Sequence, residues 1–340
     1  MNTTEVLKNE EMELEIQGLS VEYRTMEGTV YALNDMEIRI PKGTTLGLVG
    51  ETGAGKSTTG LSVLRLIPNP PGVITSGSIK LGDLDVMNAT EKDMYKVRGK
   101  KVAMIFQDPM TSLNPVIPII DQIEEVISYH NDIPKKEAHE RALQMLEMVG
   151  IKRDRANEYP HQFSGGMKQR VIIAIALACN PSLLIADEPT TALDVTIQAQ
   201  VLDMMRGLRE KYQMSMLMIT HDLGVIAEMC DTVSVVYAGH VVEHGSLRDV
   251  FKNTRHPYTE GLFNSLPNMD DPKADLKPIP GLMPDPTIRY KGCPFAERCQ
   301  YATEICKEQR PPRYYANEEH YVECHLYDES SVVTGGKINR

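Results

Sequence analysis

Gly50-Glu51-Thr52-Gly53-Ala54-Gly55-Lys56-Ser57-Thr58 is the stretch from which the rest of the chain is read. It fits the pattern G-x-x-x-x-G-K-[ST], in which glycines let backbone N–H groups curl around phosphate oxygens. In that arrangement Lys56 supplies a cation to the β- and γ-phosphates, and the Ser57 hydroxyl coordinates Mg²⁺. Thr45 to Val49 (TLGLV) reads as a short buried strand running into the loop. A helix is predicted from about Ser57 to Ile67, stopped by Pro68, Pro70 and Pro71. Its positive dipole end would face the same anion.

Working outward, Leu183 to Glu188 (LLIADE) is an apolar strand ending in two carboxylates. Asp187 is placed to hold Mg²⁺, and Glu188 to orient or activate an attacking water. Phe163 to Met167 (FSGGM), followed by Lys168-Gln169-Arg170, sets Ser164, Gly165 and Gly166 at a helix start. That is a second anion-binding surface without a lysine of its own. Thr191 to Asp194 (TALD) follows the acidic pair, and His221 follows the strand MLMIT. A strand end of that kind is where ligands of open α/β sheets bind.

Residues 12 to 42 read as antiparallel strands turning at Glu27-Gly28, and 119 to 149 as two amphipathic helices separated near Pro134. Ser164 to Ala178 and Val195 to Tyr212 read as helices, Ser182 to Ala186 and Met214 to Ile219 as buried strands, and Thr232 to His244 as a hairpin at Ala238-Gly239. Nearly continuous apolar strands alternating with helices predict an α/β fold with a parallel sheet covered on both faces. An antiparallel β subdomain and a helical subdomain, about 112–178, complete a unit spanning 1–265. Six prolines between Pro267 and Pro286 mark a connector, which places a small extension at 266–340.

The 340 residues include 36 basic and 47 acidic side chains, a net charge of −11, which argues against a nucleic-acid partner. No apolar run approaches the roughly 20 residues of a membrane-spanning helix. The polar, acidic N-terminus is unlike a signal peptide, so a soluble intracellular protein is expected.

In their order, these motifs resemble those of the ATP-binding-cassette ATPases over roughly residues 12 to 255. The resemblance implies a Walker A loop whose Gly50, Thr52, Gly53, Ala54, Gly55, Lys56, Ser57 and Thr58 bind ATP. It implies a Q-loop at Gln107, catalytic and a Mg²⁺ ligand that would sense Mg²⁺ and γ-phosphate, a Walker B strand at Leu183 to Asp187 with Glu188 catalytic, and a catalytic switch histidine at His221. It also implies a D-loop at Ala192 to Asp194, a signature at Ser164, Gly165, Gly166 and Met167, and adenine stacking on Tyr23, with Tyr31 its rival. Phe163 and Met167 stand where Leu and Gln are usual. In the family the signature meets a partner's nucleotide across a head-to-tail dimer. ATP binding closes that dimer and hydrolysis releases it.

Phe106-Gln107-Asp108-Pro109, Ser112-Leu113-Asn114-Pro115, Arg255-His256-Pro257-Tyr258-Thr259 and Gly292-Cys293-Pro294-Phe295-Ala296 are similar to segments of the oligopeptide and dipeptide importer ATPases. That implies an ATPase driving short peptides through two permease subunits, beside a second ATPase (a heterodimer, or else a homodimer), with a solute-binding protein delivering cargo. The chain would sit peripherally on the cytoplasmic face of the cell membrane. A nickel importer and a soluble non-transport ATPase are the alternatives. The stretch from Ser112 to about Tyr129 is expected to touch the permease, with Asn114, Pro115, Ile117, Pro118 and Ile120 as its surface.

Cys293, Cys299, Cys306 and Cys324 have the spacing C-x5-C-x6-C-x17-C. Four thiolates suit structural zinc or an iron–sulfur cluster, and the lack of a close C-x2–4-C pair leans towards the latter. Relatives of the importer type carry a 4Fe-4S cluster, which the resemblance transfers to these four cysteines. Zinc, or four free thiols, are the alternatives, and His320 and His325 rank below the thiolates as ligands. Loss of one thiolate is expected to spare ATP binding, because the phosphate chemistry lies elsewhere in the chain.

Overall fold

The computed structural model describes residues 11–108, 112–191, 193–265 and 278–328. Strand β1 (Met12–Thr25) turns back into β2 (Gly28–Pro41), and β3 (Thr45–Val49) leads through the glycine loop into helix α1 (Lys56–Val63). Then come β4 (Gly72–Leu81), β5 (Leu84–Asp85), α2 (Glu91–Val97) and β6 (Val102–Ile105). Two helices follow, α3 (Ile119–His130) and α4 (Lys135–Met148), then α5 (Gly165–Leu177). The middle of the chain alternates β7 (Leu183–Asp187), α6 (Val195–Tyr212), β8 (Ser215–Ile219), α7 (Leu223–Met229) and β9 (Thr232–Tyr237). It continues with β10 (His240–Ser246), α8 (Leu247–Lys252), α9 (Pro257–Asn264), α10 (Glu304–Glu308), β11 (Arg313–Tyr315) and β12 (Tyr321–Glu323).

These strands form two sheets. The smaller is antiparallel, in the order β2-β1-β4-β5. In β1, Ile16 and Leu19 both point inward although three residues apart, because the register shifts between them at Gly18, whose φ is 61°. The larger sheet runs β11-β12-β10-β9-β3-β8-β7-β6. Its central strands β9, β3, β8, β7 and β6 are parallel, and β10, β12 and β11 form an antiparallel margin.

Every residue of β3, β7 and β8 is buried, as strands covered on both faces must be. Alternation along β7 and β8 divides the interior. Leu183, Ile185, Leu217 and Ile219 face α1 and the small sheet, whereas Leu184, Ala186, Met216 and Met218 face a core shared with α3, α4 and α5. The phosphate loop, the acidic pair and the residue before His221 all leave parallel strands at the same sheet edge.

Helix α1 stops at Val63, short of the predicted Ile67, because Arg65 takes a left-handed conformation at φ 50° before the prolines are reached. The C-terminal segment also differs from a detached appendage. Strand β12 pairs with β10 through His244↔Tyr321 and Glu243↔Val322, so the main sheet continues into it. Glu243, fully buried, receives the backbone N–H groups of Arg255 and His256 at 2.8 and 2.9 Å and lies 2.9 Å from His320 Nε2. One carboxylate thereby fastens β10, the start of α9 and the approach to β12. Among the described residues no helix is long and apolar enough to cross a membrane.

Candidate functional site

The loop between β3 and α1 can take its shape only with glycine at its tight points. Gly55 has φ 100°, and a Cβ there would lie 2.5 Å from the Ala32 carbonyl oxygen. At Gly50 a Cβ would come within 2.2 Å of Val236 O. Lys56 is 7% exposed, and its Nζ donates to Gly50 O at 2.7 Å and Glu51 O at 3.0 Å. Burial pushes its pKa down, against the pull of Glu188, Asp187 and Glu51. A buried ammonium held only by loop carbonyls is placed to exchange them for phosphate oxygens.

Asp187 ends β7, 4% exposed, and its Oδ1 is buried with no hydrogen-bond partner among the described residues. Burial raises its pKa, while a hydrogen bond from Ser57 opposes the rise. An orphaned carboxylate oxygen beside a serine hydroxyl is a donor set that fits Mg²⁺, a hard cation taking oxygen ligands.

Glu188 gathers the rest. Gln107 Nε2 donates to its Oε2 at 3.2 Å and Thr191 Oγ1 to the same oxygen at 2.9 Å. His221 Nδ1 sits 2.9 Å from Oε1. Burial would raise the Glu188 pKa, but the hydrogen bonds from His221, Thr191 and Gln107 outweigh it and leave the carboxyl below its usual range. The three side chains read from the sequence as catalytic, Gln107, Glu188 and His221, thus meet at one carboxylate. The contact with Glu188 uses the Gln107 amide nitrogen, whereas the amide oxygen is the atom that would ligate Mg²⁺. In the sequence Thr191 stands out only as the head of a loop motif. Its spacing of three residues from Glu188 is what could have flagged it.

The Tyr23 hydroxyl lies 3.4 Å from Thr58 Oγ1, beside the loop. Its rival Tyr31 is occupied elsewhere, with the Arg289 guanidinium 5.7 Å from its ring centroid and its N–H bonded to Pro286 O. Thr52 and Gly53 are exposed at the loop tip, and Ala54 is buried.

The signature residues stand apart from this cluster. Ser164 is the N-cap of α5, exposed, and its side chain makes no capping bond. No hydrogen bond among the described residues joins Ser164, Gly165, Gly166 or Met167 to the phosphate loop. Gly166 packs so tightly on α6 that a Cβ would meet Ile197 Cγ2 at 2.3 Å. Asp194 caps α6 by accepting the Ile197 N–H at 3.0 Å, while Ala192 lies outside the described residues. Arg155 accounts for the two unusual signature neighbours together. Its guanidinium lies 4.6 Å from the Phe163 ring centroid, and its Nη1 donates to Met167 Sδ at 3.2 Å.

The predicted permease surface needs one correction. Ile120 is 1% exposed and belongs to the core, because the first turn of α3 faces inward. Val116, at 78%, and Tyr129, at 68%, are exposed large hydrophobic side chains of this stretch, and Pro115 is exposed beside Val116.

Cys293, Cys299, Cys306 and Cys324 line one cavity together with His256 and Phe295. No three His, Cys, Asp or Glu side chains among the described residues converge as a site for a metal ion. A single zinc requires ligands drawn to within about 2.3 Å of one point, and the thiols are not so gathered. Burial pushes the Cys293 and Cys324 thiols up to about 12, aided by the charges of their neighbours. Four thiols around a shared cavity remain a donor set that a larger, four-thiolate group could occupy. The expected separation of this segment from the phosphate chemistry does not hold. Arg298, next to Cys299, pairs with Glu51 of the phosphate loop at 2.7 Å.

Comparison with known proteins gives two family matches, "ABC transporter" over residues 33–191 and "Oligopeptide/dipeptide transporter, C-terminal region" over 242–306. The chain is 49% identical to the oligopeptide transport ATP-binding protein OppD of Bacillus subtilis (strain 168), across 92% of this chain and 88% of that one. It is 44% identical to the dipeptide transport ATP-binding protein DppD of the same organism, across 95% and 98%. Among solved structures, a dimeric post-hydrolysis state of an ATP-binding cassette bound to ADP and Pi superposes with a TM-score of 0.62 at 27% identity. That match covers 69% of this chain and 99% of the other.

Proposed function

The chain belongs to the ABC transporter family, in its oligopeptide/dipeptide branch, and from that premise we propose that Glu188 activates water for ATP hydrolysis in a peptide importer. The chain is the ATP-binding subunit of such an importer and works as a dimer with permease subunits. The observation that carries the catalytic reading is the Glu188 carboxylate, held by Gln107, Thr191 and His221 beside Lys56 and Asp187.

Lys56 leaves the loop carbonyls for the β- and γ-phosphates, and the N–H groups of the loop close around them. Ser57 and Asp187 would hold Mg²⁺, which when bound would supply positive charge against the phosphates. Glu188, kept ionised by its three partners, accepts hydrogen-bond donation from the attacking water and polarises it. His221 fixes Oε1, and Gln107 reports the state of the site to the segment that follows it. Tyr23 stacks on adenine. Ser164, Gly165, Gly166 and Met167 serve the nucleotide of the partner ATPase, together with Asp194 of the D-loop. Support for that arrangement in trans comes from the exposed Ser164, whose side chain makes no capping bond and which, among the described residues, no hydrogen bond joins to the chain's own phosphate loop.

In the same reading the second ATPase is a different chain, two permeases form the membrane pathway, and a solute-binding protein delivers cargo to them. The assembly presents this subunit at the cytoplasmic face. Residues 1–265 form the nucleotide-binding unit, with 112–178 as its helical part, and 266–340 form the extension. The four cysteines hold a 4Fe-4S cluster, which would add to the cohesion that the pairing of β12 with β10 already gives the segment. Their sharing of one cavity supports this.

The test is uptake of a labelled short peptide by vesicles bearing the complete importer. Uptake is expected with MgATP inside the compartment facing this subunit, and its loss with Lys56→Ala. ATP-driven uptake of Ni²⁺ but not peptide would establish the nickel alternative. Hydrolysis that neither permease nor peptide alters would establish a non-transport enzyme.

A further inference from the structure

The phosphate loop is held by more than the strand and helix that flank it. Glu51, its second residue, is fixed at three points. Its N–H donates to the Tyr258 hydroxyl at 2.9 Å, and its carbonyl accepts from Lys56 Nζ at 3.0 Å. Its carboxylate receives both Nη groups of Arg298, at 2.7 and 3.1 Å. Exposed ion pairs contribute little because water screens them, but the Arg298 side chain is only 6% exposed and the contact is a two-pronged fork. Arg298 is itself anchored, with Nε donating to Pro280 O at 2.9 Å and Nη1 to the Tyr237 hydroxyl at 3.3 Å.

Arg298 stands on the turns that carry the cysteines. The Ala296 N–H donates to Cys293 O at 3.0 Å, and the Arg298 N–H donates to Phe295 O at 3.0 Å. Phe295 in turn packs edge-on to Tyr237, at 5.2 Å between ring centroids, and lies 5.4 Å from Tyr258. A continuous path of packed and hydrogen-bonded groups therefore runs from the cysteine cavity through Arg298 to Glu51 and on to Lys56.

We propose that Arg298 is a positioning residue for nucleotide binding: acting through Glu51, it holds the phosphate loop and Lys56 in the shape that receives ATP. The cysteine-bearing segment then sets the affinity of the site for ATP. This rests on the ATPase reading above. Loop shape acts on phosphates in the ground state and the transition state alike, so its loss raises KM and leaves kcat nearly unchanged.

The experiment uses the assembled importer with Arg298→Gln, Glu51→Gln, the double variant and Arg298→Lys, measuring MgATP affinity and steady-state hydrolysis. Each Gln variant is expected to raise Kd and KM about tenfold with kcat changed less than about twofold. The double variant is expected to match the single ones, since the pair acts as a unit, and Arg298→Lys to recover part of the affinity. General loosening of the segment would instead lower kcat as well and make the two losses additive. That pattern, or wild-type KM in either Gln variant, would overturn the proposal. If Arg298→Gln does not fold, Glu51→Gln carries the test, because it leaves the segment intact. Unmodified protein that neither binds nor hydrolyses ATP would overturn the ATPase reading itself, before any variant is made.

Discussion

Glu188 has φ 50°, a left-handed conformation uncommon for a residue with a side chain and costing of order 1–3 kcal/mol. The strand end holds it there, its N–H bonded to Ile219 O at 2.8 Å, and three side chains fix its carboxylate. The depressed pKa has a kinetic consequence. The ionised carboxylate is the form that polarises water, so activity persists to lower pH than an ordinary glutamate would allow. His221→Ala removes the strongest of the hydrogen bonds that lower that pKa. The acid limb of the pH–kcat profile is then expected to move to higher pH, and an unmoved limb would contradict the role given to His221. At this scale much of the site was legible, because Gln107, Glu188 and His221 each sit in a short motif of fixed order. Thr191 and Arg155 were not, since their importance lies in what they touch: one carboxylate, and the side chains of Phe163 and Met167.

Helices α5 and α6 meet at Gly166, where a Cβ would collide with Ile197 Cγ2 at 2.3 Å. Gly166→Ala is expected to destabilise the protein by about 1–3 kcal/mol, as overpacking does, with Ile197→Ala restoring part of the loss in the double variant. Thermal unfolding of the three variants checks this, and additive losses would contradict it. The stretch before and into α3 exposes Val116 and Tyr129, which suits docking against permease loops. A cysteine at Val116 is expected to cross-link to a permease in the assembled importer, whereas cross-links formed only from other faces would refute the placement. Strand and helix positions were legible because β3, β7 and β8 are short apolar runs between glycine-rich or acidic turns. The inward face of Ile120 was not, since the two isoleucines opening α3 both read as surface or core until its packing is seen. Strands β11 and β12, three residues each, carry too little periodicity to read, and their existence depends on pairing with β10.

Across the whole molecule, residues far apart in sequence decide how the parts cooperate. The Glu51–Arg298 pair spans 247 positions, which no local pattern reveals. Cys306→Ser is therefore expected to weaken ATP binding as well as to increase protease sensitivity within 278–328, and unchanged affinity would uncouple the cysteines from the loop. Protein prepared without oxygen is expected to contain iron and acid-labile sulfide in near-equal amounts, whereas zinc without sulfide would replace the cluster. Ser164 acts across the dimer, so Ser164→Arg on one ATPase combined with Lys56→Ala or its counterpart on the other is expected to leave one complete composite site. Loss of ATP binding by an isolated Ser164→Arg chain would contradict that arrangement. The central claim, that Glu188 polarises the water that attacks ATP, is tested most directly by steady-state hydrolysis and nucleotide affinity of the importer bearing Glu188→Gln. ATP affinity is expected to stay at the wild-type value while turnover falls by about a hundredfold or more; near-normal turnover in that variant would contradict the account.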